Sequence, residues 1–299
     1  MLTNDDPRKL EVTKALMMRA KELFRCPACE KEMTVVTRAN SLICREGHKY
    51  DLAKPGYFNF LLKSGKSDYD KKLSAARQVI GKSGFFDPLR DKLSALLYEA
   101  AMGEGWPATN LLDAGCGEGS HLAQIIADLT EKGLPGLFGV GIDLSREGIR
   151  LAAKDYPDLV WCVADLTKLP LQNGQFEAVL NILSPANYGE FKRVLTERGI
   201  LIKVVPASNY LVELREILYK GTDRELYTND SVIKLFAGSF RMIRQEQIKY
   251  KVLLKEENLE HLLKMTPLTW NASHQQITEI IRTGLKSITV AFDVLVGIK

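Results

Sequence analysis

The sequence predicts an α/β fold in which a doubly wound, mostly parallel sheet follows a small metal-binding module. Three of the five Cys fall within nineteen residues near the N-terminus, as a local cluster rather than a disulfide framework. From Ser94 onward, apolar runs alternate with helical stretches, and a glycine-rich loop follows the first run. The 299 residues, 45% of them apolar, suffice for two domains with cores of their own.

The sheet is predicted from seven apolar runs. Five of them read as buried strands: ATNLLDAG, GLFGVGIDLS, LVWCVADL, FEAVLNILSP and GILIKVVP. Between them, HLAQIIADLTEKG, REGIRLAAKDYP and YGEFKRVLTERG place apolar residues at helical spacing, and this alternation predicts parallel strands. The C-terminal part adds the strands IKYKVLL and SITVAFDVLVGI, separated by the helical EENLEHLLKM and HQQITEIIRTG.

Charge is distributed unevenly along the chain. Residues 1–92 carry 19 Lys and Arg against 12 Asp and Glu, whereas residues 93–299 carry 22 against 25. The basic end favours a polyanionic partner, although a solvated surface gives the same count. No apolar run approaches the roughly 18 residues of a membrane span, and charges interrupt the first residues where a signal peptide would be apolar. We therefore expect a soluble, cytoplasmic protein with no membrane contact.

The N-terminal cluster has the spacing of a zinc site. Cys26, Cys29, Cys44 and His48 form C-x2-C-x14-C-x3-H, which supplies four ligands in two close pairs, as tetrahedral Zn²⁺ requires. Four protein ligands leave no position for a catalytic water, so the zinc would be structural. The alternative is a redox C-x-x-C with Cys44 and His48 as bystanders.

The glycine-rich loop lies in LLDAGCGEGSHL, where Asp113 precedes Gly115 and Gly117. The next two predicted strands end in Asp143 and Asp165. This order of an acid with glycines, then an acid, then another acid resembles the class I S-adenosylmethionine-dependent methyltransferases, which have a Rossmann-like sheet.

The resemblance gives the loop and strand-end residues roles that suit their chemistry. Gly115 and Gly117 would let the backbone approach the methionine part of the cofactor. Asp143 would accept the ribose hydroxyls and Asp165 would pair with the adenine amine, although each could instead cap a helix or turn. Asn181 and Pro185, in NILSPAN at the end of the fourth strand, would face the methyl acceptor, or serve only as turn residues.

A more specific resemblance covers residues 24–299. The Cys-Cys-Cys-His module, GHKYDLAKPGYFNFLL, GFFDPLRD, LLDAGCGEG and LLKMTPLTW are together similar to the RlmA family of 23S rRNA guanine-N1 methyltransferases. Residues 1–23 lie outside the resemblance and are predicted as a helical extension, because their periodicity suggests only a packing helix. The resemblance implies a zinc-binding domain (24–62), a basic linker (63–92) and an S-adenosylmethionine-dependent methyltransferase domain (93–299). It implies structural Zn²⁺ on Cys26, Cys29, Cys44 and His48, and cofactor contacts at Gly117, Glu118, Phe86 and Tyr210.

The family substrate is a guanine in a hairpin of 23S rRNA, and the enzyme would be a homodimer. Guanine N1 carries a proton that a base must remove; Glu190 and Asp87 are candidates by local position only. RNA phosphates would meet basic residues of the module and linker, namely Lys49, Lys54, Lys63, Lys66, Lys71 and Lys72. Tyr57, Phe58 and Phe60 could stack on bases, although a role in the core of the small domain is the plainer interpretation for at least two of them.

Two other functions stay open at this stage. One is a small-molecule methyltransferase with a structural zinc domain, whose acceptor pocket would be closed around Met265 and Trp270. The other is a non-catalytic RNA-binding protein that retains an inactive cofactor fold. The complete set of Asp113, Asp143 and Asp165 speaks against the second.

Overall fold

The computed structural model describes residues 7–37, 40–61, 68–134, 136–223 and 225–299. Within them, an eight-stranded sheet forms the centre of the molecule and a three-stranded sheet lies near the N-terminus. The strands in chain order are β1 (Met33–Val36), β2 (Ser41–Cys44), β3 (Lys49–Asp51), β4 (Tyr57–Asn59), β5 (Thr109–Ala114), β6 (Leu137–Asp143), β7 (Val160–Val163), β8 (Phe176–Ile182), β9 (Leu195–Pro206), β10 (Arg241–Leu253) and β11 (Ser287–Ile298). The seven strands predicted from sequence correspond to β5–β11.

The central sheet has the strand order β10-β11-β9-β8-β5-β6-β7-β4. Neighbours from β9 to β4 run parallel, and β11 is antiparallel to both β9 and β10. The strand order changes direction between β5 and β8, and ligands bind beyond the carboxyl ends of strands at such a point. The predicted doubly wound, mostly parallel sheet is confirmed.

Helices cover both faces of the central sheet. They are α1 (Pro7–Ala20), α2 (Asp68–Lys82), α3 (Asp87–Glu104), α4 (Ser120–Glu131), α5 (Arg146–Asp155), α6 (Tyr188–Val194), α7 (Val212–Tyr219), α8 (Asp230–Ser239), α9 (Glu256–Met265) and α10 (His274–Thr283). The helix predicted over YGEFKRVLTERG is wrong in its second half, because α6 ends at Val194. Leu195 is fully buried and pairs with Phe176, so strand pairing replaces the last helical turns.

The zinc-binding region is continuous with the central sheet, although the sequence predicted a separate domain. Its strand β4 pairs in parallel with β7, placing Tyr57 opposite Trp161 and Phe58 opposite Cys162. The Phe58 ring lies 6.0 Å from that of Phe60, and all three aromatic residues of this segment are buried. The interpretation of Tyr57, Phe58 and Phe60 as core residues is therefore confirmed, and stacking on RNA bases is excluded for this conformation.

Residues 68–92, which were predicted to belong to the basic linker, form α2 and the start of α3. Four apolar residues of this lysine-containing segment are buried in the same core as the central sheet, namely Ala76, Ile80, Phe85 and Leu89. These apolar residues recur at helical spacing, and their burial outweighs the Lys and Gly content that suggested a linker. Lys63 and Lys66 lie outside the described residues.

The N-terminal helix α1 packs across the junction of the two regions. Met17 and Ala20 are buried in the core shared by β4 and β7. Arg19 donates hydrogen bonds to the carbonyls of Gly136 and Leu137, and its guanidinium lies 4.5 Å from the centre of the Phe138 ring. The packing role predicted for this helix is confirmed. None of the described helices is long and apolar enough to cross a membrane.

Candidate active site and metal centre

The four predicted metal ligands meet at one point. The ligand atoms of Cys26, Cys29, Cys44 and His48 all lie within 4.8 Å of one another. The Sγ atoms of Cys29 and Cys44 are 3.6 Å apart, and Nδ1 of His48 is 3.3 Å from Sγ of Cys44 and 3.6 Å from Sγ of Cys26. A tetrahedral ion with Zn–S bonds of about 2.3 Å would set sulfur atoms about 3.8 Å apart, so the donor set fits zinc.

Two tight turns present the ligands. In the first, the N–H of Glu30 donates to the carbonyl of Cys26, and Glu30 adopts a φ of +62°. In the second, the N–H of Gly47 donates to the carbonyl of Cys44, and Gly47 has a φ of +83°. Burial opposes ionisation of the Cys44 thiol, but the backbone N–H of His48 and the Cys29 thiol outweigh it and lower its pKa. A thiolate is the form that binds metal.

The predicted cofactor residues surround the carboxyl ends of β5, β6 and β7. Gly115 follows β5 and has a φ of +90°, and Gly117 has a φ of +58° with open space where a side chain would begin. Asp143 ends β6; its Oδ2 accepts from the N–H of Gly117 at 2.9 Å and its Oδ1 from the N–H of Ser145 at 2.7 Å. The loop and the second strand are thereby fixed to each other.

The cap and turn alternatives for the two strand-end acids have different outcomes. The Ser145 hydroxyl accepts from the N–H of Gly148 and caps α5, so Asp143 is not needed as the helix cap. Asp165 accepts from the N–H of Thr167 at 2.8 Å and stabilises its own turn through Oδ1. Its contact with adenine stays a prediction.

Two buried carboxylates lie beside the loop with unpaired oxygens. Asp113 is 1% exposed and its Oδ1 has no partner, and Oε2 of Glu118 also has none. Burial, together with the charges of Asp143 and Glu118, raises the pKa of Asp113 to about 8. Burial likewise raises the pKa of Glu118. Unpaired buried acids suit a ligand that carries positive charge, as the sulfonium and ammonium groups of S-adenosylmethionine do.

We expect Asp113→Asn to stabilise the ligand-free protein increasingly as pH rises. Between pH 3.8 and about 8, the folded protein keeps the Asp113 carboxyl protonated, whereas the unfolded chain has released this proton. The free energy of unfolding of the wild-type protein therefore falls as pH rises through this range. The variant has no carboxyl group to ionise at this position, so its free energy of unfolding should not fall in this way. The amount by which it exceeds that of the wild-type protein should grow from pH 5 to pH 8 and reach roughly 1–3 kcal/mol. Thermal melts at the two pH values measure it, with the exposed Asp158→Asn as control. An advantage independent of pH would contradict the assignment.

Phe86 and Tyr210, the two aromatics expected at the cofactor, both pack near the ring of Phe292. The centre of the Phe292 ring is 6.2 Å from that of Phe86 and 5.0 Å from that of Tyr210. Both are buried, and burial raises the pKa of the Tyr210 hydroxyl. Both are members of the core on this face of the sheet, so their contact with the cofactor stays a prediction.

The predicted acceptor residues form a hydrogen-bonded loop after β8. Asn181 is fully buried, and its Nδ2 lies within 3.0 Å of the carbonyls of Ala114 and Pro185 and of the Ser184 hydroxyl. The Ser184 hydroxyl also donates to the carbonyl of Ala114 at 2.9 Å. In this structure the amide of Asn181 therefore shapes the loop, and Pro185 contributes its carbonyl to the same network.

Lys203, which the sequence did not single out, contacts the predicted acceptor loop. It lies on β9, is 4% exposed, and its Nζ donates to Oδ1 of Asn181 at 2.5 Å and to the carbonyl of Ser184 at 2.8 Å. Burial lowers the pKa of Lys203 to about 8. A charged residue inside the apolar run GILIKVVP was the available signal, because a lysine in a buried strand is costly without a purpose.

Neither sequence candidate for the general base is free. Glu190 pairs with Arg193 and accepts from the N–H of Leu169 at 2.7 Å, so it braces the start of α6. Asp87 pairs with Arg90, whose Nη1 donates to the carbonyl of Gly81 at 2.9 Å. Both acids have structural roles.

Helix α2 closes over the cofactor loop at a glycine. A methyl group on Gly81 would lie 2.6 Å from the Ser120 hydroxyl and 2.8 Å from Oε1 of Glu118. Ser120 in turn donates to that carboxylate oxygen at 2.5 Å. Helix α2 therefore packs directly against the predicted cofactor loop.

A glycine loop and acidic strand ends on this sheet define an S-adenosylmethionine-dependent methyltransferase of class I. Residues 111–199 match the family described as methyltransferase domain, and residues 24–66 match the family described as RlmA, N-terminal, a zinc ribbon. The zinc ribbon assigns the Cys-Cys-Cys-His cluster to structural Zn²⁺.

Three curated relatives specify the family. YxjB of Bacillus subtilis (strain 168), named as a 23S rRNA (guanine-N1)-methyltransferase, is 42% identical over 93% of this chain and 97% of its own. The 23S rRNA (guanine(748)-N1)-methyltransferase of Streptomyces fradiae is 31% identical over 90% and 94%. A relative in Micromonospora griseorubida with the same type of name is 27% identical over 89% and 93%. The chain belongs to the RlmA family of 23S rRNA (guanine-N1)-methyltransferases.

Proposed function

We propose that this protein transfers a methyl group from S-adenosylmethionine to N1 of one guanine in a hairpin of 23S rRNA. The observation that carries the proposal is the joining of the two regions: the zinc ribbon supplies β4 to the same sheet whose strand ends hold the cofactor residues. The module that would select RNA is therefore held in a fixed position relative to the site of methyl transfer.

The residues of the chain bind and align the two substrates. S-adenosylmethionine supplies a methyl group on a sulfonium, which is electrophilic without further activation. Asp113, Glu118 and Asp143 would hold the cofactor through its cationic and hydroxyl groups, beside the open backbone of Gly117. The loop at Asn181 would position the acceptor, since alignment and exclusion of water are the main contributions left to the protein. Guanine N1 is hidden by base pairing, so the target base must be unpaired or flipped out.

Exposed cations of the N-terminal half would contact RNA phosphates. Lys54, Lys71 and Lys72 are exposed, the charge of Lys71 also acts on Glu147, and Lys49 pairs with Asp51 at 2.9 Å. We expect Lys71→Glu with Lys72→Glu to weaken RNA binding about tenfold at low salt and to flatten the dependence of affinity on salt concentration. Filter binding from 50 to 300 mM salt measures both, and the exposed Lys234→Glu on α8 serves as control. An unchanged salt slope would remove these residues from the interface.

Methylation of defined RNA tests the proposal directly. Purified protein is incubated with cofactor labelled in its methyl group and with unmodified 23S rRNA, and the product is digested to nucleosides. The expected result is label in N1-methylguanosine, at one position that primer extension locates. Label that appears only when a metabolite extract replaces the RNA would support the small-molecule alternative.

The proposal includes two expectations that follow from the family. The enzyme would act in the cytoplasm with the ribosomal RNA, and it would be a homodimer. Sedimentation velocity at micromolar concentration gives the mass in solution, and a value near 33.5 kDa would contradict the dimer.

A further inference from the structure

The cofactor loop and the acceptor loop form one hydrogen-bonded unit. Ala114 ends β5 directly before Gly115, and its carbonyl accepts from Nδ2 of Asn181 at 2.7 Å and from the Ser184 hydroxyl at 2.9 Å. Gly115 leaves room for this hydroxyl, because a methyl group there would lie 2.5 Å from Cβ of Ser184. The two loops therefore cannot move independently.

A strained backbone position lies within this unit. Leu183 has a φ of +52°, in the left-handed region that branched and bulky residues rarely adopt, and its side chain is 37% exposed. Its N–H donates to the carbonyl of Val204 at 3.1 Å. Such a conformation is unfavourable for leucine and persists only where surrounding contacts enforce it. The acceptor loop is thus held in a shape that its own sequence disfavours.

Lys203, on the neighbouring strand β9, supplies contacts that hold the acceptor loop in this shape. Its ammonium donates to the side-chain carbonyl of Asn181, two residues before the strained position, and to the backbone carbonyl of Ser184, the residue directly after it. Across the described ranges, no carboxylate forms an ion pair with it, so its charge is balanced only by these two dipoles. A buried cation without an acidic partner is expensive, and stability alone does not account for it.

We propose that Lys203 is a positioning residue for methyl transfer, which holds the acceptor loop, residues 183–186, against the cofactor loop. The inference rests on the methyl transfer proposed above, and it assigns the residue that sets the shape of the acceptor side. Lys203 acts through Asn181 and Ser184, and the substrate base meets a surface that is already formed. Small displacements matter at this point, since misplacement by about 1 Å can lower a rate 100-fold.

Lys203→Met tests the proposal with four measurements on the full-length protein. We expect the methylation rate at saturating RNA and cofactor to fall roughly 10- to 100-fold, while cofactor affinity measured by calorimetry changes less than about threefold. Hydrogen exchange of the peptide 181–187 should accelerate, and exchange elsewhere in the sheet should not. The slope of rate against pH between 5.5 and 7, where Lys203 stays protonated, should be unchanged, because a positioning residue does not remove the proton. The exposed Lys234→Met is the matched control.

Lys203→Arg and Ser184→Ala keep the test decisive if Lys203→Met fails to fold. Arg retains the cation and should restore part of the rate, and Ser184→Ala keeps the carbonyl bond to Lys203 but removes the hydroxyl that joins the loops. The proposal would be overturned if Lys203→Met left both the methylation rate and the hydrogen exchange of the loop unchanged. It would also be overturned if Lys203→Arg and Ser184→Ala both left them unchanged. A lost rate with normal exchange and an altered pH profile would likewise overturn the proposal, and would indicate proton removal by Lys203. If wild-type protein methylates no RNA, the function fails, while the exchange results still decide the role of Lys203 in the loop.

Discussion

Replacement of Cys44 by Ser is expected to remove the zinc and to destabilise the whole molecule by several kcal/mol. The ligand atoms of Cys29, Cys44 and His48 converge on one point, and metal binding supplies much of the folding free energy of so small a module. Because β4 pairs with β7, unfolding of the ribbon also uncovers Trp161 and Cys162 at the edge of the central sheet. Elemental analysis gives the zinc content, and thermal melts give the loss of stability.

Cofactor binding should largely survive this substitution. The glycine loop follows β5, which is separated from β4 by β6 and β7, so its contacts with Asp143 do not depend on the ribbon. We expect the affinity for S-adenosylmethionine to fall less than about tenfold and the methylation of RNA to be lost. The buried Cys162→Ser, outside the cluster, should keep its zinc. Full zinc content in Cys44→Ser would refute the ligand assignment, and an unchanged melting temperature after zinc loss would refute the coupling to the sheet.

The metal centre could be predicted from sequence because its information is local. Cys26 with Cys29, and Cys44 with His48, are each spaced for one turn, so the pairs are readable without knowledge of the fold. The attachment of the zinc ribbon to the central sheet could not be predicted from the sequence. β4 has only three residues, Tyr57–Asn59, and their pairing with β7 joins positions about a hundred residues apart. Such a contact depends on the tertiary structure, and no periodicity reports it.

In the predicted active site, too, some residues could be identified from the sequence and others depend on tertiary contacts. Asp113, Asp143 and Asp165 were predicted because each ends an apolar run, and parallel strands bring their carboxyl ends to one edge. The role of Asn181 was only partly predicted, since its partners Lys203 and Ala114 lie on neighbouring strands. Helix α2 is not evident from the sequence, because the Lys and Gly content of its segment obscures the helical spacing of its few apolar residues.

Gly115→Ala is the second substitution with a large expected effect, because it acts on both loops at once. The residue has a φ of +90°, which an alanine adopts only with strain, and the added methyl group would overlap Ser184. Strain and overlap together should cost roughly 2–4 kcal/mol of stability. Gly105→Ala, at a φ of +62° with open space around it, isolates the cost of strain alone.

The effect on catalysis should exceed the effect on cofactor binding. To make room, Ser184 must leave the carbonyl of Ala114, and the acceptor loop then loses its connection to the cofactor loop. We expect single-turnover methylation to slow roughly 100-fold, while cofactor affinity falls less than about tenfold. Adding Ser184→Gly to the variant removes the overlap, so it should recover stability but not the rate, because the hydroxyl that joins the loops is gone. Recovery of both would show that the Ser184 hydroxyl has no part in alignment, and recovery of neither would show that strain at Gly115 is the whole effect.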